Sequence, residues 1–131
     1  MRERKMDMVA RIALAAALLT AAATFPAGAA KRETPIATPN GKPVDCLPRY
    51  QIRETRVRDD RTIDFYTSGG KVYRNTLPYS CPELGAREGF GYSTSTGQLC
   101  SVDIITVLRQ FGGTPERGAS CGLGRFQPVT G

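Results

Sequence analysis

The sequence predicts a small, mainly β domain: an antiparallel meander curled into a barrel or a sandwich and stapled by disulfides. Short segments in which apolar and polar side chains alternate are separated by turns rich in glycine, aspartate and proline. All four cysteines follow residues 1–29, which have the composition of an export signal. The roughly 100 residues that remain are enough for one domain, whose thin core would benefit from covalent links.

Residues 1–29 predict a signal peptide. A basic start precedes the apolar stretch 12–25, and residues 26–29 supply the small side chains that signal peptidase accepts. We expect cleavage after Ala29, with Ala30 as the alternative. The apolar stretch is shorter than the roughly 20 residues that span a bilayer, so no stable membrane anchor is expected after cleavage. The predicted location is therefore periplasmic or secreted.

Residues 30–45 predict a flexible leader, because three prolines and Gly41 stand among few bulky apolar side chains. We expect one disulfide-stabilised β domain over residues 46–127, followed by a tail at 128–131. Strands are predicted at 52–58, 61–67 and 71–77. Asp59-Asp60 makes the first turn between them, and Ser68-Gly69-Gly70 makes the second, where a tight hairpin needs a positive φ.

The second half of the chain predicts shorter elements. Pro78 and Pro82 bracket Cys81 and disfavour regular pairing, so residues 78–89 are expected to form a loop. Residues 90–95 and 98–102 predict two further strands. Residues 103–111 favour a strand because of their β-branched side chains, with a short helix capped by Asp103 as the alternative. A mobile loop is expected at 112–120 and a final short strand at 121–126.

The four cysteines, Cys46, Cys81, Cys100 and Cys121, are expected to form two structural disulfides. Their spacing has no C-x-x-C unit of the kind that redox sites and zinc knuckles use. Three pairings are possible. We favour Cys81–Cys100, which closes the loop onto a strand end, together with Cys46–Cys121, which joins the two ends of the domain.

Composition narrows the range of functions. The chain has no histidine, which excludes Ser-His-Asp and Cys-His catalysis and every His-ligated metal site. We expect no catalytic residue, no metal and no cofactor. Removing residues 1–29, with four basic and two acidic side chains, lowers the formal net charge from +6 to +4. Acidic residues are interspersed among the arginines of residues 49–64, so nucleic acid is not an expected partner.

Tyrosines are the side chains best suited to contact a partner. Tyr covers a large area at low entropic cost, and about half of the aromatic residues of a small β domain should line its core. We expect Tyr66, Tyr79 and Tyr92 to remain at the surface as possible partner contacts.

The order of motifs from Cys46 onward resembles a family of small exported bacterial proteins known only as a domain of unknown function. The likeness comprises Cys46-Leu47, Asp60-Arg61-Thr62-Ile63, Gly69-Gly70-Lys71-Val72-Tyr73, Cys81-Pro82-x-Leu84, Leu99-Cys100-x-x-Asp103 with Ile105, and Cys121-x-Leu123-Gly124-x-Phe126. The resemblance implies export and a cysteine-framed domain, and it implies no activity. We therefore expect a non-enzymatic binding or envelope accessory domain with an unknown protein or envelope partner. The alternatives are a secreted hydrolase inhibitor, acting through a loop such as 78–89, and a histidine-free enzyme acting on envelope glycans.

Overall fold

The computed structural model describes residues 33–130, so the predicted signal peptide at 1–29 lies outside the described residues. This part of the chain is mainly β, as predicted, with one 3-10 turn and one short helix. The elements in chain order are β1 (Thr38–Pro39), β2 (Cys46–Pro48), the 3-10 turn Arg49–Gln51, β3 (Ile52–Asp59), β4 (Thr62–Thr67), β5 (Val72–Thr76), α1 (Leu84–Arg87), β6 (Phe90–Tyr92), β7 (Gln98–Cys100), β8 (Ile104–Phe111), β9 (Thr114–Gly122) and β10 (Phe126–Thr130).

Five strands form the largest sheet, here called sheet A, in the order β1-β10-β5-β4-β3 with every neighbouring pair antiparallel. Its β3-β4-β5 part is the predicted meander. Gly70 occupies the turn between β4 and β5 with a φ of 81°, a conformation that glycine adopts without steric cost. The three strands predicted from alternation at 52–77 are therefore confirmed.

Two smaller sheets complete the fold. Sheet B pairs β2 with β7, and sheet C has the order β6-β8-β9. The segment 103–111 is a strand, which was the favoured alternative. Its core-facing side chains Ile105 and Val107 are fully buried, and β8 lies between two partners. This is the setting in which β-branched side chains pack well.

Side chains from all three sheets meet in one core, so the arrangement is sandwich-like and not a closed barrel. Phe65 of sheet A packs edge-on against Phe90 of sheet C, with ring centroids 6.4 Å apart, and against Phe126 at 5.2 Å. The buried members of the cluster are Leu47, Ile63, Phe65, Leu77, Cys81, Leu84, Leu99, Ile105, Val107, Leu123 and Phe126.

A buried amide fixes the return from sheet C to sheet A. Asn75 is fully buried on β5, where its side chain donates to the Gly124 carbonyl at 2.7 Å and accepts the Gly124 N–H at 2.8 Å. A Cβ at position 124 would lie 2.2 Å from the Thr76 carbonyl oxygen. Only glycine fits this approach, which accounts for the glycine of the Cys121-x-Leu123-Gly124-x-Phe126 motif.

The prediction of a loop at 112–120 is wrong, because Gly112 and Gly113 form a turn and the strand β9 begins directly after them. Gly112 and Gly113 have φ values of 67° and 115° and make a tight hairpin between β8 and β9. Among the described strands β9 has a partner on one side only, so Pro115 is tolerated there. The final strand predicted at 121–126 is likewise wrong, since β9 ends at Gly122 and β10 begins at Phe126.

The segment predicted to be a flexible leader, 30–45, forms strand pairs with the segment predicted to be a tail, 128–131. β1 lies within the segment 30–45 and pairs with β10, and β10 continues to Thr130, past the domain boundary expected at 127. Val44 and Phe126 exchange two backbone hydrogen bonds of 2.9 and 2.8 Å. Val129 of β10 is buried and takes part in this pairing. In the sequence it is a single apolar residue near the end of the chain, which is too little to predict a strand.

The two disulfides are Cys46–Cys100 and Cys81–Cys121, so the favoured pairing of Cys81 with Cys100 and Cys46 with Cys121 is wrong. The reason is strand register. Cys46 and Cys100 lie directly opposite each other in the β2-β7 pair. Cys121 lies opposite the buried Ile105, so its side chain points toward the core, where Cys81 is also buried. Two disulfides in so small a domain indicate an oxidising environment.

Candidate functional site

The most prominent exposed aromatic side chain lies in the segment that follows β5. Residues 78–83, here called the Tyr79 loop, connect the fully buried Leu77 to the fully buried Leu84 of α1. Between these two buried residues Pro78, Tyr79 and Ser80 are exposed, and 82% of Tyr79 is accessible. The loop therefore presents one large aromatic ring between two positions that are fixed in the core.

Hydrogen bonds from the β3-β4 turn hold both ends of the Tyr79 loop. The Arg61 guanidinium donates to the carbonyl oxygens of Leu77 at 2.7 Å and Pro78 at 3.0 Å. The Leu77 N–H donates to the Arg61 carbonyl at 2.7 Å, and the Cys81 N–H donates to the Asp60 carbonyl at the same distance. One turn, built from the predicted Asp59-Asp60 pair and Arg61, thus sets the backbone on both sides of Tyr79.

Further contacts fix the second half of the loop. Cys81 is bonded to Cys121 of sheet C, and the Asp60 carboxylate accepts the Gly85 N–H at 2.7 Å. Glu83 has a φ of 69°, which is uncommon for a residue other than glycine, and its carboxylate accepts a hydrogen bond of 2.6 Å from Arg109 of β8. The backbone at Glu83 is therefore held in a strained conformation that the ion pair supports.

Tyr66 and Tyr92, the other two predicted contacts, are half-buried and already have partners. The Tyr66 hydroxyl accepts a hydrogen bond of 2.9 Å from Arg58, and the Arg56 guanidinium lies 4.6 Å from the centre of its ring. Tyr92 packs against the core from β6, with Arg49 at 6.0 Å from its ring centroid. The three tyrosines lie on different elements, and Tyr79 is the most exposed of them.

The charged face of sheet A is built around Asp64. Only 3% of Asp64 is exposed, and its carboxylate accepts hydrogen bonds from Arg74 at 2.8 and 3.0 Å and from Arg58 at 2.9 Å. Burial acts to raise the pKa of Asp64, but the bonds from Arg74 and Arg58 outweigh it and hold the pKa below the ordinary aspartate value. The carboxylate is therefore ionised at neutral pH and carries no proton to donate to a substrate.

Asp59 lies on the same sheet and is also ionised. Burial acts to raise its pKa, while hydrogen bonds from the Thr34 hydroxyl, from Arg61 and from Thr62 lower it below the ordinary value. Within residues 33–130 no group of three side chains of the His, Cys, Asp and Glu types could hold a metal ion. The Asp59 carboxylate accepts a hydrogen bond within the β3-β4 turn, and the Asp64 carboxylate joins β4 to its neighbouring strands β3 and β5.

Two surface features had no signal in the sequence. Tyr50, on the 3-10 turn, is 79% exposed. A cleft of about 550 Å³ lies where the segment 40–44, the β4-β5 turn and β10 meet, and it is lined by both Lys42 and Lys71. These lysines are far apart in sequence, and only the pairing of the 38–44 segment with β10 brings them to one cleft.

The helix within the described residues, α1, is too short to cross a membrane. No protein-family model, curated protein or solved structure matches this chain. The fold and the Tyr79 loop therefore carry the functional argument.

Proposed function

We propose that this protein is an exported, non-enzymatic binding domain that engages a protein partner in the cell envelope or outside the cell through the Tyr79 loop. The observation that carries the proposal is the combination of an exposed aromatic ring with a fixed backbone: Tyr79 is 82% accessible, while Arg61, Asp60 and the Cys81–Cys121 disulfide hold both sides of it.

Rigid presentation matters because association costs conformational freedom. Ordering a flexible interface side chain costs about 0.5–1.5 kcal/mol, so a loop held in one conformation before binding retains more of the interaction free energy. Tyr is enriched among the few residues that dominate binding interfaces, and such residues enter desolvated pockets on the partner. The Tyr79 loop supplies both features at one place.

Export belongs to the same proposal. The signal-peptide pattern of residues 1–29 and the two disulfides both support passage into an oxidising compartment, the periplasm or the exterior. The intact mass of protein recovered from that fraction checks this point. A start at Ala30 or Lys31 with no free thiol is the expected result, whereas a full-length chain with four alkylatable thiols would contradict export.

A hydrolase inhibitor is the second candidate, and one observation favours it over other binding roles. Arg61 bonds the carbonyl oxygens of both Leu77 and Pro78, immediately before the exposed ring. A loop that enters an enzyme cleft must resist deformation there, and two bonds from one guanidinium provide that resistance. The enzyme alternative has no comparable support, since the buried Asp64 is held ionised by two guanidinium groups.

Site-specific crosslinking tests the proposal, with Tyr50 as the matched control because its exposure of 79% is close to that of Tyr79. A photoreactive phenylalanine at position 79 is expected to capture a partner in the native cells that the same group at position 50 does not capture. Tyr79→Ala is then expected to weaken binding of the purified partner by about 30-fold or more, as for a central interface residue.

The melting temperature of Tyr79→Ala should match that of the wild type, because the ring makes few contacts within the protein. Equal capture from positions 79 and 50, or unchanged affinity of Tyr79→Ala, would contradict the Tyr79 loop as the binding site. If the partner is a hydrolase, wild-type protein should inhibit it and Tyr79→Ala should not. Turnover of envelope glycans that is lost on one carboxylate-to-amide change would establish the enzyme alternative instead.

A further inference from the structure

The cleft that contains Lys42 and Lys71 is separate from the Tyr79 loop. Its walls come from the segment 40–44, from the turn between β4 and β5, and from β10, and its volume is about 550 Å³. Sites for small molecules commonly have volumes of roughly 300–1,000 Å³. The cleft is therefore large enough for a molecule of the size of a sugar phosphate.

The charge of the cleft is unusual for this surface. Residues 33–130 contain ten arginines and two lysines, and both lysines line this cleft. No aspartate or glutamate of the described residues is among the lining side chains. Neither lysine forms an ion pair within residues 33–130, whereas Arg58, Arg74 and Arg125 each bind a carboxylate. The lining of the cleft thus contains two lysines and no carboxylate side chain from residues 33–130.

The backbone that carries each lysine is fixed to sheet A. On one side, the Asn40 N–H donates to the Pro128 carbonyl at 3.0 Å, and the Val44 N–H donates to the Phe126 carbonyl at 2.9 Å. On the other side, Lys71 accepts the Thr67 N–H at 2.9 Å through its carbonyl oxygen, within the β4-β5 hairpin. The two lysines therefore extend from two segments whose separation is set by the strand pairing.

The remaining wall is partly apolar. Tyr73 and Pro128 lie opposite each other in the β5-β10 pair, and both line the cleft. A ring and a pyrrolidine can contact the non-polar faces of a small organic group, while ammonium groups act as point charges for phosphate. The combination suits a molecule with a phosphate group at one end and a ring or carbon chain at the other.

We propose that this cleft binds the phosphate group of a small phosphate ester, with Lys42 and Lys71 as the charged contacts. The phosphate could belong to a soluble sugar phosphate or to the headgroup of an anionic lipid, and both present the same chemistry to the two lysines. The proposal does not depend on the Tyr79 loop, so either can fail alone.

The test is a titration of the ¹⁵N-labelled protein followed by amide chemical shifts at low ionic strength. Glucose 6-phosphate is the soluble probe, with glucose as the uncharged comparison. The amides of Gly41, Lys42, Gly70 and Lys71 are expected to shift in a saturable way with the phosphate ester and not with glucose. The variant Lys42→Gln/Lys71→Gln is expected to bind at least about tenfold more weakly, since charge-assisted contacts are lost.

A control variant distinguishes binding at the cleft from general electrostatic attraction of phosphate to a positively charged protein. Arg53→Gln removes a positive charge from an exposed position of β3 that does not line the cleft, and it should leave the affinity unchanged. Vesicles that contain phosphatidylglycerol are compared with vesicles of pure phosphatidylcholine. If only the former bind, if their binding requires Lys42 and Lys71, and if glucose 6-phosphate causes no shifts, the phosphate belongs to a lipid headgroup. The proposal would be overturned if the amides showed no saturable shifts and vesicle binding did not depend on the two lysines. It would also be overturned if Arg53→Gln lost as much affinity as the double lysine variant.

Discussion

At Asp64 one buried carboxylate is stabilised by two guanidinium groups, and this arrangement has a consequence for the pH dependence of folding. The pKa of Asp64 in the folded protein lies below the ordinary value, because the bonds from Arg74 and Arg58 outweigh the effect of burial. Such a group stabilises the fold at any pH above its unfolded pKa, about 3.9 for aspartate. That stabilisation is lost as the pH falls through the folded pKa.

We expect Asp64→Asn to lower the free energy of unfolding by about 3 kcal/mol at neutral pH, because Arg58 and Arg74 then lack a carboxylate. Urea unfolding measures the loss. The difference between wild type and variant should become smaller as the pH falls below about 3.9, where the carboxylate of the unfolded wild-type chain takes up protons. Asp45→Asn is the control: its pair with Arg125 is exposed, and its loss should be small. Equal losses in both variants would contradict the buried ion pair.

At the scale of single elements, the segment before β2 is part of the fold. β1 pairs with β10, Val44 bridges to Phe126, and Arg74 donates to the Pro35 carbonyl at 2.7 Å. The Thr34 hydroxyl also contacts the Asp59 carboxylate. This stretch therefore crosses from β3 over β5 to the edge of sheet A, and it orders residues that composition alone assigns to a leader.

Deleting residues 33–45 should lower the free energy of unfolding by about 3 kcal/mol, since at least three backbone hydrogen bonds and the β1 pairing are lost. Amide exchange should be slow at Val44 and Phe126 in the wild type, and faster at Phe126 in the deletion variant. Ile36→Ser is the matched control, because the side chain of Ile36 is 99% exposed and its change should leave stability as it is. Unchanged stability after the deletion would mean that the segment is a flexible leader after all.

Strands in which apolar and polar side chains alternate could be predicted from sequence, and strands without that alternation could not. β4 alternates the buried Ile63 and Phe65 with polar residues, so its pattern predicts a strand directly. β9 has mostly exposed side chains and contains Pro115 and Gly118, so it shows no alternation. Its existence depends on hydrogen bonds to β8, which are a property of the partner strand and not of its own composition.

At the scale of the whole molecule, the sequence predicts that disulfides form but not which cysteines pair. Pairing follows from strand register, and register depends on contacts between distant segments. The same distinction between local sequence and contacts of distant segments applies to the two candidate sites. Tyr79 was predictable because proline and cysteine flank it within one loop, whereas the cleft with Lys42 and Lys71 requires β10 to return beside β5.

The two disulfides are interleaved along the chain, because Cys81 lies between Cys46 and Cys100, and Cys100 lies between Cys81 and Cys121. Every peptide bond from residue 46 to residue 121 is therefore spanned by a covalent link. A protease that cuts after the exposed Tyr79 releases no fragment, and a second cut after the exposed Arg117 releases none either. The middle piece, 80–117, is joined to the first by Cys46–Cys100 and to the last by Cys81–Cys121.

Mass spectrometry of the twice-cut protein without reductant should show one species heavier by two water molecules, which separates into three pieces only when reductant is added. A nested arrangement of the same four cysteines would free the middle piece at once. Because the disulfides are interleaved, a molecule that has been cut at these two bonds keeps all three pieces covalently joined. In a compartment rich in proteases, the sheets of such a nicked molecule can stay assembled around the break.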